Sequence, residues 1–342
     1  MDFALVLHAA SALLISSSAT VLALRYAQRR RLLDGPGRRR AHSVPTPRGG
    51  GIAIVVSALC CVGPVLAPVW AAALLGLALV AVAGVGWWDD HASLGPLPRV
   101  VVHLLAGVAL AVVVLRIAPL PAWANGLVVV LGLAVVLSTA WSINLHNFMD
   151  GINGFLTLQA LWIFSMVAVL GELGLPHGLG AIPALLAAAC LGFLPFNFPR
   201  ARIFLGDVGS GALGFLIIAV LWLAAMREPR WFAVGLLLLS SFLIDATATL
   251  SFRFWRGRRW YSAHREHLYQ WLVRRGWSHS RIVARYMAWN LLLIAPFALF
   301  AGLFDDENDM APVIAVVTAY TAGLLIWRRS RRAILREVRA HA

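Results

Sequence analysis

The sequence predicts an all-α, polytopic integral membrane protein with about eleven transmembrane helices. Three observations carry that prediction. Of its 342 residues 61% are hydrophobic, and the mean hydropathy is +0.80. The charged residues gather between long apolar runs instead of spreading over a soluble surface. All 29 basic residues are Arg, and most lie in short segments beside those runs.

A membrane-crossing helix needs about 20 mostly apolar residues. Eleven runs approach that length: 3–27, 51–68, 69–88, 100–118, 122–145, 155–171, 181–198, 209–225, 231–254, 286–304 and 311–327. Two of these abut at Pro68, and only a short turn separates residue 118 from Pro121. No long soluble stretch remains, so residues 1–342 read as one transmembrane domain without internal repeats. In the first run the Arg cluster follows the apolar stretch and no charged segment precedes it, which predicts a retained anchor and not a cleaved signal peptide.

Basic residues favour the cytoplasmic side of a membrane. An N-terminus outside and a C-terminus inside place loops 28–50, 89–99, 146–154, 199–208 and 255–285, with the basic tail 328–342, in the cytoplasm. Only Arg116, Arg227 and Arg230 then fall outside, together with the acidic run 305–309. The net charge of +14 is explained by this topology and by anionic headgroups, so the bilayer and not nucleic acid is the expected partner. Cys60, Cys61 and Cys190 lie inside apolar runs without metal-ligand spacing, which points to helix packing.

The same topology brings Asp89, Asp90, Asp150 and Asp207 to one face, at the ends of three different runs. A carboxylate at bilayer depth costs about 2.5–3.5 kcal/mol on insertion scales, so such a gathering marks a functional site. Hard cations such as Mg²⁺ take one or two protein carboxylates and complete their shell with water and phosphate oxygens. The competing reading for any single Asp is a helix cap or a surface ion pair. Glycines accompany the carboxylates at Gly151, Gly154, Gly206, Gly209 and Gly211, and a third Gly-rich stretch, PTPRGGG, enters the second run. Glycine permits close approach of backbone amides to phosphate, although membrane helices also use it for packing. Beside carboxylates and Arg it points to a diphosphate site.

The longest inner loop contains HREHLYQ. His264 and His267 fall short of a zinc site, so anion binding by Arg265 and His267 is the expectation. His42 and Arg48 precede the second run and are candidates for holding lipid phosphate. Asp245 is expected to form a structural ion pair with Arg253, and His146 reads equally as a site neighbour or a packing residue. Trp87, Trp88 and Trp231 read as an aromatic belt.

Five blocks, HSVPTPRGGG, WWDD, NLHNFMDGINGF, FLGDVGS and HREHLYQ, resemble in order and spacing those of the polyprenyl-phosphate N-acetylhexosamine-1-phosphate transferase family. The resemblance implies Mg²⁺-dependent transfer, with Mn²⁺ able to substitute, of a sugar 1-phosphate from a UDP-N-acetylhexosamine to undecaprenyl phosphate, releasing UMP. It implies catalytic roles for Asp89 and Asp90, the former as a base, and metal binding by Asp207 and Asp90. Nucleotide binding falls to Asn147, Asp150, Asn153 and Phe204, and diphosphate or sugar contacts to Arg265 and His267. Asn153 stands where relatives carry a second Asp, so it is assigned to the nucleotide and not to metal. Ser93 replaces a Lys of the peptidoglycan branch, and HREHLYQ is closer to members that initiate O-antigen or related surface polysaccharides. A bacterial inner-membrane location and pairing as a homodimer follow from the same resemblance. The alternatives are a transporter, whose carboxylates belong near the bilayer midplane, and an inactive scaffold for polysaccharide assembly.

Overall fold

The apolar runs fold as helices because a membrane offers the backbone no water to bond, and a helix satisfies its amides internally. A computed structural model describes residues 3–35, 45–117, 126–173, 180–258, 264–303 and 310–340, with side chains up to 336. Its helices are α1 (Phe3–Arg29), α2 (Ile52–Cys61), α3 (Val69–Ala92), α4 (Pro96–Ile117), α5 (Val128–Met149), α6 (Phe155–Leu173) and α7 (Ala181–Asn197). They continue as α8 (Gly206–Ala225), α9 (Trp231–Trp255), α10 (Leu268–Arg274), α11 (His279–Trp289), α12 (Ala295–Leu303) and α13 (Met310–Ala340). A π-helical turn, Asn290–Ile294, joins α11 to α12.

Among the described residues nine helical segments are long and apolar enough to cross a membrane, with His279–Leu303 taken as one. The protein is thus the all-α, multi-pass membrane protein expected. Two of the eleven apolar runs form shorter helices. Ile52–Cys61 has 10 residues, roughly 15 Å at 1.5 Å per residue, because Gly63, Pro64 and Pro68 follow and interrupt it. Ala181–Asn197 has 17. The only described sheet is the two-residue antiparallel pairing of β1 (Leu33–Asp34) with β2 (Thr46–Pro47).

Helix α8 is the hub. Of its apolar window 94% is buried, against 17% for α1. It packs on α3, α5 and α9, while α1 packs on α2 and α7 at one flank and α9 on α13 at the other. Lipid is as apolar as Leu, so close helix approach depends on small residues and interhelical hydrogen bonds of about 0.6 kcal/mol each. Gly51 and Gly209 meet so tightly that a Cβ on Gly51 would collide with the Cα of Gly209. Ser142 Oγ donates to Gly214 O at 2.8 Å, and Ser16 Oγ to Ala189 O at 2.7 Å. Outward-facing Leu77, Leu105, Val129 and Leu292 present an apolar rim.

Candidate active site

The last turn of α3, the end of α5 and the first turn of α8 meet at one end of the bundle, carrying Asp89, Asp90, Asp150 and Asp207. Helix α3 stops at Ser93, whose φ of +49° is left-handed, and the chain turns back so that Leu94 N donates to Asp89 Oδ1 at 2.5 Å. This return delivers Arg99 from the start of α4. Its Nη1 lies 2.8 Å from Asp89 Oδ2 and 3.5 Å from Asp207 Oδ2, so one guanidinium bridges two carboxylates. Asn147 Nδ2 donates to Asp207 Oδ1 at 2.9 Å and to Ser210 Oγ at 3.0 Å.

Asp90 is placed differently from the expectation of a metal ligand. It is 2% exposed, and its two oxygens accept the backbone amides of Asp207 and Val208 at 3.1 and 3.2 Å. A carboxylate there satisfies orphan donors and complements the positive end of the α8 dipole. Gly206 permits the approach: its φ is +72°, and a Cβ would sit 2.5 Å from Asp90 Oδ2. Arg48 joins the same arrangement. Its guanidinium donates to Asp90 O, and its Nε is 3.7 Å from Asp90 Oδ1. His42 lies outside the described residues.

The Gly-rich stretch is likewise engaged with protein. Gly50 N donates to Phe204 O and Gly51 N to Leu205 O, both at 2.9 Å, while Phe204 N donates to Pro47 O at 2.8 Å. These amides hold the PTPRGGG strand against the FLGDVGS block. The Phe204 ring stays half-buried.

Asp150 is the least satisfied carboxylate. It is half-buried at the end of α5, and among the described residues nothing donates a hydrogen bond to its oxygens. Burial, followed by the charges of Asp207 and Asp90, pushes its pKa up to about 8. Asn153 faces away from metal chemistry: its Nδ2 donates to Pro199 O at 3.1 Å, and its N to His279 Nδ1 at 3.4 Å.

The HREHLYQ block closes one side. Tyr269 is 1% exposed, and its hydroxyl donates to Phe148 O at 2.9 Å, beside Asp150. His267 caps α10 and is 2% exposed, with Gln270 Oε1 accepting from its amide at 3.3 Å. Its ring lies 4.9 Å from that of His264. Burial pushes both imidazoles down, His264 to about 4. Arg265 is half-buried within the same segment.

Asp245 holds this block in place. Its Oδ1 accepts from Leu268 N at 2.7 Å and Trp327 Nε1 at 3.2 Å; its Oδ2 accepts from Tyr286 Oη at 2.8 Å and Tyr269 N at 3.3 Å. The ion pair described for Arg253 is with Glu266, not with Asp245. His146 is a packing residue, 0% exposed, with Nδ1 2.7 Å from Ser142 O.

Two residues that sequence reasoning passed over shape the site. Arg99 falls at the end of the inner loop 89–99, and its position ten residues after Asp89 is the available signal. Asn197 carried no signal. Its Oδ1 accepts from Gly154 N and Thr157 Oγ1, and its Nδ2 donates to Ile203 O, each at 3.0 Å, tying the NLHNFMDGINGF and FLGDVGS loops together.

No three metal-ligating side chains stand close enough, among the described residues, to hold a cation alone. The donor chemistry nonetheless suits a hard divalent ion. Asp89 and Asp207 share one Arg, Asp150 has no counter-charge of its own among the described residues, and Mg²⁺ takes the rest of its shell from water and phosphate.

Residues 70–225 match the profile of glycosyl transferase family 4. The chain is 31% identical to decaprenyl-phosphate N-acetylglucosaminephosphotransferase of Mycobacterium tuberculosis, over 85% of this chain and 81% of that protein. The namesake from Mycobacterium leprae is 28% identical, over 93% and 89%. The phospho-N-acetylmuramoyl-pentapeptide-transferase of Desulforudis audaxviator is 32% identical, over 82% and 90%. With its motif blocks meeting at one end of a helical membrane bundle, the chain belongs to glycosyl transferase family 4, among the polyprenyl-phosphate N-acetylhexosamine-1-phosphate transferases.

Proposed function

We propose that the protein transfers an N-acetylhexosamine 1-phosphate from a UDP-sugar to a polyprenyl phosphate at the cytoplasmic face of a bacterial inner membrane. In this reaction an oxygen of the lipid phosphate attacks the sugar-proximal phosphorus. The bond from that phosphorus to the bridging oxygen breaks, and UMP leaves. The observation that carries the reading is the convergence of Asp89 and Asp207 on Arg99, with Asp150 at the adjoining end of α5 and no mid-helix position among the three. A transporter would place its carboxylates near the midplane.

Asp207 and Asp89, with Asp150 beside them, would hold Mg²⁺. The ion would neutralise charge on the diphosphate, as in phosphoryl transfer generally. Arg99 adds fixed positive charge at the same place. Asp89 already accepts hydrogen bonds on both oxygens, and a lipid phosphate, with a second pKa near 6, needs little help in losing its proton. We therefore assign Asp89 to positioning Arg99 and metal, and Asp90 to fixing Asp207. Phe204 offers a half-buried ring for a uracil face, and Arg265 with His267 would serve the diphosphate or sugar.

Undecaprenyl phosphate is the acceptor implied by the motifs, and decaprenyl phosphate is named for the mycobacterial relatives. GlcNAc is accordingly the first donor sugar to test, with a step initiating a cell-surface polysaccharide as the setting. Purified protein is given Mg²⁺, either lipid phosphate and a panel of UDP-N-acetyl sugars, with UMP and the lipid product followed by mass. One active donor, abolished by Asp207→Asn, is the expected result. No UMP from any donor with either lipid would remove the proposal.

A further inference from the structure

The seam between α9 and α13 holds a cavity of about 940 Å³ that touches none of the four motif carboxylates. On α13 its wall runs from Tyr320 to Leu335, roughly 22 Å of helix at 1.5 Å per residue. That exceeds one leaflet of a hydrocarbon core about 30 Å thick. The stretch between Leu243 and Phe252 is mostly apolar, and the end nearest the active-site face carries Arg256, Arg328, Arg331 and Arg332.

Arg331 is the informative residue. It is only 8% exposed, yet among the described residues its Nε and Nη1 are buried without a hydrogen-bond partner. Its Cζ stands 3.4 Å from the ring centroid of Phe252 and 5.2 Å from that of Trp327. Cation–π contact offsets part of the cost of burying a guanidinium, but it leaves the N–H donors unanswered. The nearby carboxylates are engaged elsewhere. Glu266 is bonded by Arg253 and Arg258, and Asp245 by Leu268, Tyr269, Tyr286 and Trp327. A cationic pocket with an unanswered guanidinium fits an anion, and the apolar length beneath it fits acyl chains.

We infer that the α9–α13 seam is a binding site for an anionic phospholipid, with its phosphate on Arg331 and its neighbouring arginines and its chains along the seam. A free phosphate would use the Arg end and leave the apolar length unfilled. Trp327, one turn before Arg331, donates to Asp245, so the lipid would lie against the same turn that fastens α10.

The test uses the full-length protein, delipidated in detergent, with phosphatidylglycerol, zwitterionic phosphatidylcholine and inorganic phosphate as separate probes. Native mass spectrometry reads lipid binding and thermal unfolding reads protection. Phosphatidylglycerol is expected to bind at least ten-fold more tightly than phosphatidylcholine, and Arg331→Gln to weaken it at least ten-fold. Thr247→Phe, which fills the seam and leaves every Arg in place, is expected to weaken it as well. Equal binding of the two lipids, or wild-type binding by either folded variant, would overturn the inference. Protection by millimolar inorganic phosphate equal to that by phosphatidylglycerol would also overturn it, by assigning the pocket to a soluble anion.

Discussion

Asp90 Oδ1 accepts the backbone N–H of Asp207, 3.1 Å away, so one motif aspartate fixes the helix that presents another. Asp90→Ala removes the acceptor for two amides at the buried start of α8. The expected destabilisation is about 1–3 kcal/mol, seen as a lower unfolding midpoint in detergent. Turnover should fall with it, because Asp207 shifts. Asp207→Asn should leave the midpoint nearly unchanged and abolish turnover, which separates the two roles. Equal midpoints for the two variants would show that Asp90 does not anchor α8.

Arg99 bridges Asp89 and Asp207. Arg99→Gln should lower turnover at saturating Mg²⁺ by about 10²-fold, the scale of losing one preorganised charge stabiliser. Arg99→Lys keeps the charge without the fork and should recover only part of the loss. Steady-state kinetics at several Mg²⁺ concentrations checks both variants.

Asp245 gathers Leu268, Tyr269, Tyr286 and Trp327 although it stands apart from the reacting groups. Asp245→Asn exchanges one acceptor oxygen for an amide donor that opposes the donors already there. Faster amide hydrogen exchange across α10 is expected, with weaker UDP-sugar binding and a folded bundle. Unchanged exchange in 264–274 would argue against this anchoring.

His264, pushed down to about 4, and His267, also lowered, are neutral in the folded protein at pH 7. Unfolded imidazoles titrate near 6.5. Between those values the unfolded chain binds more protons, so stability should fall as pH drops from about 6.5 towards 4. Unfolding midpoints across that window check the direction, and His264→Asn should flatten the slope.

The helices were legible because a bilayer requires long apolar segments and internally bonded backbone, and both leave marks in sequence. The carboxylates at run ends were legible too, through the cost of placing charge at those depths. What remained hidden was contact. Asn153 bonds to Pro199 O across a loop that no local pattern reveals. The PTPRGGG glycines looked like a phosphate cradle, yet two of their amides bond Phe204 O and Leu205 O, more than 150 positions away along the chain.

By itself the sequence determined an all-α membrane protein with four acidic positions at the ends of its spans, and five ordered blocks that name its family. Which aspartate fixes the start of α8 and which one meets Arg99 was decided only by tertiary structure. Asp89 and Asp90 are neighbours of identical chemistry. One meets Arg99 and the other meets the start of α8, 117 positions away, because adjacent residues on a helix point about 100° apart. The partner that each direction meets is set by helix packing, and packing is a property of the assembled bundle.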